Sequence, residues 1–296
     1  MKEIKGCGTA LITPFTKGGE IDLENFTKLV ERQLEGGVDF LVPLGTTAET
    51  PTLEDYEKEL LLDRLQQINR GRVPIIIGVG TNSTKGVISN IKKFEKYGAN
   101  ALLVVVPYYN KPTQQGIYEH YKAISESTST PIVLYNVPSR TGINMSAETT
   151  LRLAQLNNIV ATKEASSNYA QISEIIGNAP QRFSVISGND DETFPLMTTG
   201  AKGVISVAAN VAPKPIVRLV GYLQEGKVAE AALLHHKLMP LFKGCFIESN
   251  PIPSKAAIAS MGLIENILRL PLTSSTPQTE QLMKKILEQL RVDKLI

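Results

Sequence analysis

A lysine closes one apolar run of the chain. Ile159-Val160-Ala161-Thr162 leads into Lys163-Glu164-Ala165. An amine in that position has two readings. It forms an ion pair at a strand end, with adjacent Glu164 as partner, or it is desolvated. Burial disfavours the charged form, and a free amine attacks carbonyl carbon to form an imine. Tyr135 closes an earlier apolar run, followed by Asn136. It is either a core side chain with its hydroxyl satisfied by a neighbour, or a phenol that shuttles protons at the same rim as the lysine. Gly45-Thr46-Thr47 offers hydroxyls and N–H groups in a turn ahead of a helix. That is a cradle for a small carboxylate, or simply a turn with an N-cap. Arg140, within Pro138-Ser139-Arg140-Thr141-Gly142, is either a bidentate clamp for a second carboxylate or a solvated loop arginine. His120, His235 and His236 fall on predicted helices and read as surface or interface residues, so no metal site is expected.

These residues need elements to hold them. Apolar runs at 8–13, 40–44, 73–79, 101–107, 131–136, 159–163, 183–187 and 203–207 predict strands. They are continuous rather than alternating, which suits strands covered on both faces. Helical patterns separate them, including 23–35, 53–69, 84–97, 114–127, 147–156 and 213–223. Eight strand–helix repeats predict an α/β fold, a (β/α)8 barrel with its chemistry at the strand ends. The doubly wound alternative lacks its fingerprint: after Gly78-Val79-Gly80 the third glycine position is Ser83, and no Walker sequence occurs. Helical residues at 229–241, 253–261 and 278–290 exceed the barrel's needs. The expected organisation is a catalytic barrel over 1–225 and an appended helical segment over 226–296.

Composition narrows the class. The 296 residues carry 31 Lys+Arg against 29 Asp+Glu, and 42% are hydrophobic. Such a chain is too apolar for disorder and too balanced in charge to point to nucleic acid. Cys7 and Cys245 supply neither a disulfide framework nor a metal-ligand spacing. The N-terminus, Met1-Lys2-Glu3-Ile4-Lys5-Gly6, has no apolar core, and no apolar run exceeds strand length, so a cytoplasmic protein off the membrane is expected. Asn82-Ser83-Thr84 matches a glycosylation acceptor, which without a secretory signal reads as chance.

Taken in order, Gly45-Thr46-Thr47-Ala48-Glu49, Pro107-Tyr108-Tyr109-Asn110-Lys111-Pro112, Tyr135-Asn136-Val137-Pro138, Lys163-Glu164-Ala165, Gly203-Val204-Ile205-Ser206-Val207 and Asn250-Pro251-Ile252-Pro253 closely resemble the class I pyruvate-dependent lyases of the dihydrodipicolinate synthase/N-acetylneuraminate lyase family. The resemblance runs from Gly8-Thr9-Ala10 to Leu268-Arg269-Leu270-Pro271-Leu272-Thr273 and is nearest to the synthase branch. It implies that Lys163 forms a Schiff base with pyruvate, whose enamine attacks aspartate semialdehyde, with no metal or nucleotide cofactor. It implies a proton relay of Tyr135, Thr46 and Tyr109, with Tyr109 crossing a tight dimer interface, and a homo-oligomer that is a dimer of dimers. Thr47 matches the pyruvate-carboxylate contact, Gly188 and Ile205 match backbone groups lining the pocket, and Arg140 matches the arginine that holds the semialdehyde carboxylate. Sibling aldolases of 2-keto-3-deoxy sugar acids share the lysine and tyrosine and form the alternative.

Two departures stand out. Ala48 replaces a usual glycine, for which a small change in the turn is expected. Many bacterial members bind lysine as an inhibitor; Asn82 and Tyr108 match that site, but its histidines are replaced, with Asp55 and Lys58 near those positions, and its acidic residue is Gly86. The resemblance therefore implies an allosteric remnant with weak or absent lysine inhibition.

Overall fold

A computed structural model describes residues 3–296; Met1 and Lys2, part of the N-terminus read above, lie outside the described residues. Among the described residues eight strands occur in chain order: β1 (Gly6–Ala10), β2 (Phe40–Val42), β3 (Ile76–Gly78), β4 (Ala101–Val105), β5 (Ile132–Asn136), β6 (Ile159–Glu164), β7 (Ser184–Ser187) and β8 (Gly203–Ser206). Between and after them run α1 (Leu23–Glu35), α2 (Asp55–Asn69), α3 (Thr84–Phe94), α4 (Gln114–Glu126), α5 (Pro138–Thr141), α6 (Ala147–Leu153), α7 (Tyr169–Asn178), α8 (Thr193–Thr198), α9 (Pro213–Gln224), α10 (Val228–Gly244), α11 (Ile252–Ser260) and α12 (Pro277–Val292). Every predicted strand is present, most of them shorter than expected.

The chain forms two compact units. One holds residues up to Gly6 together with Ile75–Ile205. In it β3, β4, β5, β6, β7 and β8 pair in parallel in chain order. Their side chains are almost all buried, as continuous apolar runs require when both faces are covered. Four helices here, α3, α4, α6 and α7, start on side-chain caps: Ser83 accepts from the Gly86 N–H, Thr113 from Gly116, Ser146 from Thr149 and Asn168 from Gln171. Each cap satisfies an N–H that has no partner within its helix.

The other unit holds Cys7–Pro74 and Ser206–Ile296. β1 and β2 pair in parallel, Thr9 opposite Leu41. The Thr9 hydroxyl donates to Gln33 of α1 at 2.9 Å, giving a buried polar pair its partner. Arg32, also on α1, donates from its two terminal nitrogens to the carbonyls of Asn210 and Val211. α10, α11 and α12 belong to this unit, where α12 packs against both of the others.

Local chemistry corrected several expectations. The predicted helix at 53–69 begins at Asp55, because Glu54 is extended and its N–H is taken by the Glu57 carboxylate at 2.9 Å. The loop around Arg140 is a helical turn: Pro138 sits at its first position with φ preset, and Gly142 closes it at φ 71° in the left-handed region. His120 and His235 are buried rather than superficial, since the inner faces of α4 and α10 carry them. The His120 Nδ1 shares a 2.9 Å hydrogen bond with the Thr84 hydroxyl, and burial pulls the ring down to about 4.

Candidate active site

β5 and β6 bring Tyr135 and Lys163 together. Their ladder opens with Ile132 opposite Ile159, but Val133 then lies opposite Ala161, so β6 spends one extra residue at this point. After that bulge Tyr135 stands opposite Lys163 and Asn136 opposite Glu164. Residues opposite one another share a face of the sheet, and successive residues alternate faces. Tyr135 and Lys163 are therefore neighbours on one face, Asn136 and Glu164 on the other. The Lys163 Nζ lies 4.3 Å from the centre of the Tyr135 ring. Both side chains are sequestered, at 5% and 7% exposure. An amine stacked on a phenol in such an enclosure can add to a carbonyl with an acid/base group beside it.

Glu164 is not turned toward its neighbour Lys163. It is fully buried on the opposite face, where the Asn136 amide lies 3.2 and 3.3 Å from its two carboxylate oxygens and the Ser166 hydroxyl donates at 2.8 Å. Asn136 is itself anchored: its Nδ2 lies 2.9 Å from Asn144 Oδ1, and its Oδ1 accepts from the Met145 N–H at 3.0 Å. Burial pushes the Glu164 carboxyl up from its usual 4.5 to about 7, against the opposing hydrogen bonds from Ser166 and Asn136. Between these values the folded protein holds a proton that the unfolded chain has lost. The group favours the folded state fully below pH 4.5, and that contribution disappears as pH rises to 7. Glu164→Gln is thus expected to flatten the pH dependence of stability from about 4.5 to 7, read from urea midpoints across that range.

Gly188 follows β7, and its N–H donates to the Glu164 carbonyl at 2.6 Å. A Cβ there would lie 2.8 Å from the Ala165 Cβ and 2.9 Å from that carbonyl, so only glycine fits. Ile205 is fully buried in β8. Arg140 is exposed on α5.

Tyr109 is not enclosed with Lys163 and Tyr135. It follows β4 with φ 73°, and 88% of it is exposed. The adjacent Asn110 amide donates to the Asn82 carbonyl at 2.8 Å, so Asn82 and the Tyr108-bearing turn are neighbours. At Gly86 a Cβ would come within 2.8 Å of the Thr81 hydroxyl.

In the second unit, Thr46–Ala48 form a tight helical turn after β2. Ala48 fits it without disruption, its N–H reaching the Gly45 carbonyl at 3.1 Å and its carbonyl accepting from the Thr13 hydroxyl at 2.8 Å. The buried Thr47 hydroxyl accepts from the Asn250 amide at 3.0 Å, while Thr46 is half-buried. Glu49 ends the turn in the left-handed region at φ 54°. Its carboxylate meets the Lys255 ammonium of α11 at 2.7 Å, both side chains wholly buried, and accepts from the Arg269 N–H at 3.0 Å. Lys255 also donates to the Thr13 carbonyl at 2.9 Å and lies over the Phe15 ring. Burial pulls its ammonium down to about 8, against the attraction of Glu49. Arg269 grips Glu57 with both terminal nitrogens, at 2.6 and 2.7 Å, and holds that carboxyl below its usual range. Asp55 and Lys58 pair with each other at 3.3 Å.

The Glu49–Lys255 pair is not evident from the sequence. Its one signal was a lysine in the otherwise apolar stretch around Ala256-Ala257-Ile258-Ala259. Among the described residues no group of three or more His, Cys, Asp or Glu is arranged to hold a metal, and no helix is long and apolar enough to cross a membrane.

Comparison with known proteins decides the family. The model of the dihydrodipicolinate synthetase family matches residues 3–290. The chain belongs to the dihydrodipicolinate synthetase family. The 4-hydroxy-tetrahydrodipicolinate synthase of Phocaeicola vulgatus is 50% identical over 290 residues, 98% of each chain. The crystal structure of dihydrodipicolinate synthase from Thermotoga maritima matches at TM-score 0.96 with 48% identity and full coverage of both chains. A monomeric dihydrodipicolinate synthase variant matches at TM-score 0.95 and 48% identity, over 99% of this chain and 98% of that one. With eight parallel strands alternating with helices, this likeness makes the fold the (β/α)8 barrel expected from the sequence. Membership in the dihydrodipicolinate synthetase family makes the chain a lyase.

Proposed function

We propose that the chain condenses pyruvate with L-aspartate 4-semialdehyde to 4-hydroxy-tetrahydrodipicolinate through a Schiff base on Lys163, the entry step to diaminopimelate and lysine. The observation that carries this reading is the enclosed Lys163–Tyr135 pair, the amine 4.3 Å from the phenol ring. The Lys163 amine adds to the pyruvate ketone and water leaves, giving a protonated imine. Its positive nitrogen withdraws electrons from the methyl carbon, which loses a proton to become an enamine. The enamine carbon attacks the semialdehyde carbonyl, the new alkoxide takes up a proton, and the substrate amine displaces Lys163 as the ring closes. Tyr135 is the acid/base nearest the imine, relayed by Thr46 and Tyr109. The exposure of Tyr109 suits a side chain that completes the site of a second copy; the active form proposed is a tight dimer within a dimer of dimers. Thr47 holds the pyruvate carboxylate, Gly188 and Ile205 line the pocket with backbone groups, and no cofactor takes part. The compartment is the cytoplasm.

The test is incubation with pyruvate, borohydride reduction and mass mapping. An adduct on Lys163 is expected, with turnover on aspartate semialdehyde exceeding that on 2-keto-3-deoxy sugar acids; the reverse preference makes the chain the sibling aldolase. Arg140 assigns the second carboxylate. Arg140→Ala is expected to lower kcat/KM for the semialdehyde by about 10²-fold, the loss typical of one charge-assisted clamp, while the pyruvate adduct still forms. Equal loss of both would make Arg140 structural.

Lysine is expected to inhibit weakly or not at all. Asn82 and Tyr108 remain, but Gly86 has no carboxylate for the ligand ammonium, and an unpaired charge at such a site costs several kcal/mol. Half-inhibition by sub-millimolar lysine in a rate titration would refute this.

A further inference from the structure

The Tyr135–Lys163 pairing depends on a register that the chain could have closed differently. Continued without a bulge, the ladder begun at Ile132 opposite Ile159 would set Tyr135 opposite Thr162 and Asn136 opposite Lys163. A slip of one residue moves every side chain of a strand to the other face. The bulge next to Val160 prevents this, but a bulge can migrate along a ladder unless something beyond it fixes the register. Beyond it lie four pairs, the last being Asn136 opposite Glu164.

That last pair is the polar one. The Asn136 amide bridges both Glu164 oxygens, Ser166 closes on one of them, and Asn144 and Met145 hold Asn136 in turn. In the slipped register Glu164 loses this arrangement, and a fully buried carboxyl without hydrogen bonds is strongly disfavoured. We propose that Asn136 and Glu164 form a register clamp, a pair of positioning residues that keep Lys163 beside Tyr135 from the opposite face of the sheet. The inference rests on Lys163 and Tyr135 carrying the proposed chemistry. It assigns Glu164 a role set by the shape of its hydrogen bonding rather than by its charge, since it faces away from the reacting groups.

Three variants test this: Glu164→Gln, Glu164→Asp and Asn136→Ala. Three readouts apply: the borohydride-trapped adduct on Lys163, exchange of the pyruvate methyl hydrogens in deuterated water, and kcat with its pH profile. Gln offers an oxygen to Asn136 and an amide to Ser166, so Glu164→Gln is expected to stay within about 3-fold of the parent with the same pH profile. Asp keeps the carboxyl but falls one carbon short, and Ala removes the donor. Both are expected to form the adduct yet lose about 10²-fold in methyl exchange and kcat, the scale of loss when reacting groups move by about 1 Å. Folded Glu164→Asp and Asn136→Ala proteins that exchange at the parent rate would overturn the clamp. So would a Glu164→Gln enzyme as impaired as Glu164→Asp with an altered pH profile, since the carboxyl would then be acting by its charge. If Asn136→Ala does not fold, the Gln–Asp comparison decides alone. Failure of the parent enzyme to form any adduct on Lys163 would instead remove the proposed function, and the clamp with it.

Discussion

Lys163→Met is expected to abolish the borohydride-trapped pyruvate adduct and to lower turnover by at least about 10⁴-fold. Methionine is close to the lysine stem in volume, and the side chain it replaces is only 5% exposed. A substitution of similar volume costs a core little, so the variant is expected to fold with near-parent stability. What it lacks is the amine. Without an imine the pyruvate methyl group has no electron sink, and the phenol of Tyr135 has no reaction to assist. Mass mapping after reduction and a progress curve with coupled detection of product check the two halves separately. Turnover above about one per cent of the parent rate would show that another nucleophile serves, and the proposed mechanism would fall.

The second large effect concerns stability. Lys255→Met is expected to destabilise the protein by about 3–5 kcal/mol, because it leaves the Glu49 carboxylate buried and without its cation. Glu49 and Lys255 have no exposed side-chain surface, so water cannot compensate. Removing both charges together is a different matter. In Glu49→Gln combined with Lys255→Met, the Gln oxygen still accepts from the Arg269 N–H, and no ion is buried. Most of the lost stability is expected to return, as it does when buried ion pairs give way to neutral side chains of similar volume. Urea unfolding of the two single variants and the double variant measures the coupling directly. Additive losses would mean that the pair contributes no more than its separate packing.

The same pair marks the boundary of what the sequence could reveal. Strands were legible because a run such as Ala101–Val105 is apolar at every position, and one-sided sheets do not produce such runs. Lys163 and Tyr135 were legible as polar residues ending such runs, although residue types alone left each with a second, structural reading. Their juxtaposition was not legible. It depends on one extra residue beside Val160, and nothing in Ile159-Val160-Ala161 distinguishes a bulge from a regular ladder. Arg140 sat in what read as a loop, because four residues are too few to show helical periodicity. The burial of His120 and His235 was not legible, because a helix face becomes inner or outer only through its neighbours. Lys255 was hidden most completely, since its partner is distant in sequence and neither residue carries a local sign of the other.

That distance has a consequence for how the protein is made. Glu49 and Lys255 are 206 residues apart along the chain. At bacterial or eukaryotic elongation speeds of about 5–20 residues per second, roughly 10–40 s pass between synthesis of the carboxylate and of its cation. Through that interval Glu49 has no cation to meet on burial, so the turn bearing Thr46 and Thr47, which its own hydrogen bonds can close only locally, is expected to stay loose. Ribosome-bound chains halted before α11 should therefore leave this turn open to protease, whatever the state of the strands already emerged. Protection should arrive with the helix that carries Lys255, so this corner of the enzyme is among the last to mature.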